Sequence, residues 1–195
     1  MPAKSRKRSI SRRHTAGRSA KDAIALLKKD HKNVKQLLKR LEGTSERNTN
    51  QREQFLTQIE HEVKTHTTIE EEIFYPAFKG ALRAKSDAHL YFEALEEHHL
   101  VDVVMQEIRN TESDSEEFAA KAKVLKDLIE HHAEEEEAQM FPKARKAMGA
   151  VRLRELGQEL QQRKRELSDM SEGNVDSINR RRRITAYYTV RSKIA

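Results

Sequence analysis

The sequence contains no cysteine and no tryptophan, and its 195 residues include only three prolines and six glycines. Without cysteine there can be no disulfide, no thiolate-held zinc and no iron–sulfur cluster. The same absence fits a reducing compartment, and a cytoplasmic protein is expected. No apolar run approaches the roughly 20 residues that cross a bilayer, so no transmembrane segment is expected, and no apolar signal core follows Met1. What the chain has in abundance is charge. It carries 38 Lys+Arg and 32 Asp+Glu against 36% hydrophobic residues, the balance of a mostly helical, soluble protein.

The charge is unevenly placed. Residues 1–21 hold eight basic side chains and no acid, residues 22–148 are net −7, and residues 149–195 are net +5. An acidic middle is thus flanked by basic ends. The Ser-, Arg- and Lys-rich start reads as a disordered tail over 1–19. A helical domain follows over 20–148, an additional amphipathic helix over 149–168, and a basic C-terminal tail, with the run Arg180 to Arg183, over 169–195.

Within 20–148, apolar residues recur every three or four positions in four stretches, and none alternates with the period of a strand. The first, after a capping-box-like Ser19, is Ile24, Leu27, Val34, Leu38 and Leu41, closed by Gly43. The second is Phe55, Ile59, Val63 and Ile73. The third starts near Ser86 and continues through Tyr91, Leu95, Val101, Met105 and Ile108. The fourth is Phe118, Ala122, Leu125, Ile129 and Met140. A fifth amphipathic stretch runs from about Ala144 to Leu167, before a polar SEGNVDS linker. The expected fold is all-α: an antiparallel up-down-up-down four-helix bundle with a further C-terminal amphipathic helix and basic tails.

Each of the four stripes is interrupted by a histidine where an apolar residue is due: His31, His66, His98 and His132. The stretches also repeat. Asp30-His31 with Val34 parallels Glu97-His98 with Val101. His66-x-x-x-Glu70 with Tyr75-Pro76 parallels His132-x-x-x-Glu136 with Phe141-Pro142. A two-helix unit has been used twice, and its halves are expected to face each other across an approximate two-fold axis. Residues i and i+4 share a helix face, so each His/Glu pair can aim at one spot in the bundle core. A lone histidine on an apolar stripe is ordinarily a hydrogen-bonded core residue. Four of them, two in matching frames with a glutamate, point instead to a shared cation. Two ionised glutamates buried without compensation would cost several kcal/mol each. Imidazole and carboxylate suit divalent first-row metals, and iron commonly occupies such bundle sites. In the two charge runs, Glu70 and Glu136 are chosen because they fall on the stripe, with Glu71 and Glu135 as alternatives. The prolines at 76 and 142 read as helix breakers just past the site.

The motifs DH at 30–31, HTTIEEEIFYP at 66–76, EHH at 97–99 and HAEEEEAQMFP at 132–142 together resemble the hemerythrin-like, or HHE cation-binding, family over roughly residues 20–148. The resemblance implies a non-haem di-iron centre (Fe2+/Fe3+, with zinc or manganese as substitutes) in a four-helix bundle. His31 and His66 would serve one metal and His98 and His132 the other, with Glu70 and Glu136 bridging. Oxygen-carrying hemerythrins have a second histidine one turn from the third-helix histidine, but here those positions are Ala94 and Asp102. They also use an aspartate five residues after the fourth-helix histidine, where this chain has Glu136 at four. Fewer histidines leave more coordination positions open, which argues against reversible oxygen carriage. The Glu-x-x-His pairs of ferritin-like proteins occur only once, at Glu96 and His99.

The remaining histidines carry weaker expectations. His99 and His131 should face a neighbouring helix or solvent, His14 and His89 should lie on the tail or surface, and His61 and Asp102 are minor candidates for extra ligands. The function expected is binding of, or reaction with, a small diatomic or peroxide ligand (O2, NO or H2O2), with iron sensing or handling as the alternative. The basic tails are a separate feature. They can attract nucleic acid, an anionic membrane surface or an acidic partner, or serve only as a solubilising or targeting segment.

Overall fold

The computed structural model describes residues 22–82 and 88–191, with side chains to residue 170. The expectations for the N-terminal tail, its Ser19 cap, His14 and the helix start at Ser86 lie outside the described residues. No strand occurs among the described residues, and none of their helices is long and apolar enough to cross a membrane.

Four long helices form the expected bundle: α1 (Ala23–Glu42), α2 (Thr49–Ile69), α4 (Ala88–Arg109) and α5 (Glu116–Glu135). A short α3 (Tyr75–Ala81) follows α2, and a long α6 (Phe141–Arg191) follows α5. Helix α1 packs on α2 and α5, and α4 packs on α5. Three N-caps are side-chain acceptors: Asp22 receives the Ala25 N–H at 2.8 Å, Asn48 that of Gln51 at 3.4 Å, and Ser115 that of Phe118 at 3.1 Å. Each cap contributes about 1 kcal/mol. At the loop end of the bundle, buried Arg52 reaches Thr44 Oγ1 at 3.2 Å and the Ser113 carbonyl at 2.7 Å, tying the two interhelical loops together.

The two prolines do not end their helices, as the sequence led us to expect. The chain passes each through a single π-helical turn, Glu70–Phe74 and Glu136–Met140. The N–H of Tyr75 bonds to the Glu70 carbonyl, and that of Phe141 to the Glu136 carbonyl, each five residues back. An α-helix would press the Pro76 and Pro142 rings against the carbonyl four residues earlier. The wider turn relieves that clash and lets helix continue. It also rotates the following residues. Phe74, Tyr75 and Phe78 are therefore fully buried, whereas Ile73, expected on the stripe, is only partly so. In α4 the buried positions before His98 are Leu90 and Ala94, with Tyr91 and Leu95 partly buried beside them.

Two apolar clusters fill the bundle. One contains Val34, Leu38, Phe55, Ile59, Val101, Phe118 and Leu125 near the interhelical loops. The other joins Leu27, Phe74, Tyr75, Phe78 and Phe141 to Leu153, Leu156 and Leu160 of α6. The amphipathic stretch expected near 144–167 is thus part of the core. Helix α6 bends at Gly149, whose φ of +72° lies where only glycine is unstrained. Its backbone stays helical through SEGNVDS to Arg191. The four stripe histidines with Glu70 and Glu136 lie between the two clusters.

Candidate metal centre

All six residues singled out from the sequence are buried, and they come together. Glu70 is 0% exposed and the other five are 3–6% exposed. Helices α1 and α2 bring His31 Nε2 to 3.1 Å from His66 Nε2, and α4 and α5 bring His98 Nε2 to 3.1 Å from His132 Nε2. The carboxylates link the pairs. One Glu70 oxygen lies 3.1 Å from His66 Nε2 and 3.5 Å from His98 Nε2. One Glu136 oxygen lies 3.1 Å from His31 Nε2 and 3.7 Å from His132 Nε2. His31, His66, Glu70 and Glu136 thus form one group able to surround an ion, and Glu70, His98 and His132 a second.

Three imidazoles are held from behind by an acid, and the fourth has one close by. The Nδ1 atoms of His31, His98 and His132 lie 3.0 Å from Glu137, 2.8 Å from Glu71 and 2.7 Å from Glu97. That of His66 lies 3.7 Å from Asp30, whose other oxygen receives Lys164 of α6 at 2.7 Å. These acids obey the repeat, since Asp30 and Glu97 precede a histidine and Glu71 and Glu137 follow a glutamate. An acid at Nδ1 fixes the proton there and turns the Nε2 lone pair inward.

The model of the hemerythrin HHE cation-binding domain matches residues 22–144. The chain belongs to that family. No curated protein matches the sequence. Among solved structures, it is similar to a hemerythrin HHE cation-binding domain-containing protein from Mycobacterium kansasii. The identity is 23% and the TM-score 0.70, over 80% of this chain and 93% of that one. At that identity the likeness concerns the fold.

The donors of this HHE domain fit a cation. Glu70 Oε1 and both Glu136 carboxylate oxygens are buried without a hydrogen-bond partner; Asp30 Oδ2 and His66 Nδ1 also lack one but face each other outside the centre. Glu136 Oε2 is close to His31 Nε2, yet the ring nitrogen does not aim a hydrogen at it, which suits two lone pairs sharing an ion better than a hydrogen bond. Ligands about 2.1 Å from a common metal and at right angles stand about 3.0 Å apart. The contacts of 3.1 Å match that edge.

Without a cation the centre must keep protons. Burial, then the Glu136 charge, pushes the Glu70 carboxyl well above the usual range. Burial works against ionised Glu136 too, but the charges of His132 and His31 outweigh it and hold it at about 2. Burial opposes the protonated form of His31 and His132, yet Glu136 leaves both raised. Burial lowers His66 to about 4, with His31 adding to the effect against Asp30.

The halves differ at one aromatic residue. The Tyr75 hydroxyl lies 3.4 Å from Glu70 and 3.2 Å from His98 Nε2, and its ring stacks on His98 at 5.5 Å. Its counterpart Phe141 stacks on His31 at 5.8 Å and has no hydroxyl. Burial, then the two glutamates, raises the Tyr75 pKa, so the phenol keeps its proton.

The minor candidates stand apart. His61, His89 and His99 are exposed, and the exposed His131 neighbours Glu97 and Glu135. Asp102 is half exposed and faces Lys64 at 3.9 Å, so it adds nothing to the centre, and Ala94 packs in the core. Glu71 holds His98 from behind and is not among the converging groups, and Glu135 falls in a separate, partly exposed group with Glu97 and His131. Sequence reasoning missed the outer acids and Lys164. The repeat of Asp30 with Glu97 was a usable signal for the former, but nothing local marks Lys164.

Proposed function

We propose that the chain is a non-haem di-iron protein. His31 and His66 would hold one iron and His98 and His132 the other, with Glu70 and Glu136 supplying the carboxylate oxygens. The observation that carries this reading is the convergence of four inward imidazole nitrogens on two buried carboxylates, three of whose four oxygens lack hydrogen-bond donors. Zinc or manganese suits the same donors. A cytoplasmic setting belongs to the same reading.

We further propose that the pair binds or reacts with a small ligand: O2, NO or peroxide. Iron, when bound, supplies open coordination positions and a change of valence. The protein supplies the space. A cavity of ≈ 30 Å³ abuts the four imidazoles and is otherwise walled mainly by Val34, Val63, Val101 and Ile129. About 10–15 Å³ suffices for one water molecule, so this cavity takes one small molecule and no organic substrate. The apolar wall excludes bulk water. On the opposite side Tyr75 offers a proton donor to Glu70.

The test is to purify the chain, measure iron per chain, and record absorption spectra after adding each gas or peroxide. A new ligand-dependent band is expected from iron-loaded protein. An iron-free protein that stays colourless with all three overturns the reading. Iron sensing is the second reading, favoured by the Lys164–Asp30–His66 chain that ties α6 to the centre. Metal-dependent protection of α6 from protease, without turnover of peroxide, would favour it.

A further inference from the structure

The basic N-terminus does not end where the bundle begins. Residues 1–41 contain fourteen basic side chains and two acids, whereas residues 42–148 contain thirteen basic and twenty-four acidic ones. One of those two acids, Asp30, is buried against Lys164 and His66. The outward side of α1 carries Lys28, Lys29, Lys32, Lys35, Lys39 and Arg40 and, until Glu42, no carboxylate. Lys28, Lys32, Lys35 and Lys39 follow the i, i+4, i+7, i+11 spacing of one helix face and line a groove of ≈ 700 Å³ between α1 and α5. The acids in that groove are largely engaged. Glu137 binds Lys28 at 2.9 Å and His31, and Glu42 binds Lys126 at 2.7 Å, which leaves Glu130. Lys29, Lys32, Lys35 and Lys39 form no salt bridge among the described residues.

We propose that this face of α1, continuous in sequence with the basic N-terminal segment, binds the phosphate backbone of duplex nucleic acid without reading its bases. From Lys28 to Lys39 the helix rises about 16 Å at 1.5 Å per residue. That equals about five nucleotide steps along one strand, so Lys32, Lys35 and Lys39 can each meet a phosphate beside the Glu137-bound Lys28. The acidic stretch 42–148 repels a polyanion and so favours this face over those of α2, α4 and α5. A membrane surface fits less well. Interfacial helices bury large apolar side chains beside their lysines. Among the described residues the exposed large apolar ones are Phe92, Leu100, Val103, Val124, Val151 and Met170, none of them on α1. The proposal does not depend on the metal centre.

The test is fluorescence anisotropy of a labelled duplex titrated with the full chain across about 50–200 mM salt, with phosphatidylserine vesicles as a second probe. The full chain should bind duplex, with log K falling linearly with log salt. Lys32→Gln/Lys35→Gln/Lys39→Gln should reduce that slope by about 2.7, at 0.9 per phosphate contact, and weaken binding by about tenfold or more. Neutralising Lys64, Lys123 and Lys146 instead, which removes the same charge from other helices, should leave slope and affinity close to those of the parent. Helical circular dichroism confirms that each variant is folded. Wild-type affinity and slope in the α1 variant, equal losses in both variants, or binding to vesicles but not to duplex each overturn the proposal. So does a full chain that fails to bind duplex at about 50 mM salt.

Discussion

Each imidazole in the centre divides its work between two nitrogens. Nε2 faces the partner histidine and the glutamates, while Nδ1 faces an outer acid, within hydrogen-bond distance in all but His66. Removing an outer acid leaves the six inner residues in place but frees the ring to turn. Glu97→Gln and Asp30→Asn should therefore each lower metal affinity by about 10–100-fold, measured by chelator competition, with helix content unchanged. A variant that keeps the parent's affinity would show that the outer acids are bystanders. Tyr75 sets the two halves apart, since Phe141 lacks the hydroxyl that reaches Glu70 and His98. Tyr75→Phe should leave the metal content unchanged while making the two iron environments more alike in a Mössbauer spectrum. Loss of metal would mean that the hydroxyl is needed for binding itself.

At the scale of elements, the stripes of α1, α2, α4 and α5 were readable because a bundle helix buries one face with a period near 3.6. The histidines were readable because they sat on those faces in a repeat. The π turns were not. Pro76 and Pro142 looked like breakers, because the alternative, a turn widened by one residue, leaves no local signature apart from the proline itself. That widening is what sends Tyr75 rather than Ile73 inward. The outer acids were hidden for another reason. In the runs 70–72 and 134–137 one glutamate is a central donor, the next supports an imidazole of the other half, and others are solvated. Only tertiary contacts sort them. Helix α6 extends the core beyond the segment matched to the family, with Leu156 and Leu160 fully buried. Leu156→Ala and Leu160→Ala should each destabilise the protein by about 2–5 kcal/mol in urea unfolding. Lys164→Met should cost about 1–3 kcal/mol, because it leaves the buried Asp30 carboxylate without its charged partner.

At the scale of the whole molecule, the metal-free bundle stores protons that metal must displace. Glu70, His31 and His132 all hold theirs above their ordinary ranges, and His66, at about 4, is already neutral near pH 7. The raised histidines stabilise the metal-free fold fully below about pH 6.5, and that contribution is lost as pH rises through their folded values. Metal-loaded protein does not depend on those protons. The gap in Tm between loaded and metal-free protein should therefore widen from about pH 6 to pH 8, with protons released on binding. A gap that narrows with rising pH would contradict the assignment of these groups. The central claim itself meets its most direct test in elemental analysis of protein purified from iron-supplemented cells, beside a His66→Ala/His132→Ala variant. The account predicts two irons per chain in the parent and little or none in the folded variant. A parent without iron, or a variant that keeps the parent's iron, would contradict it.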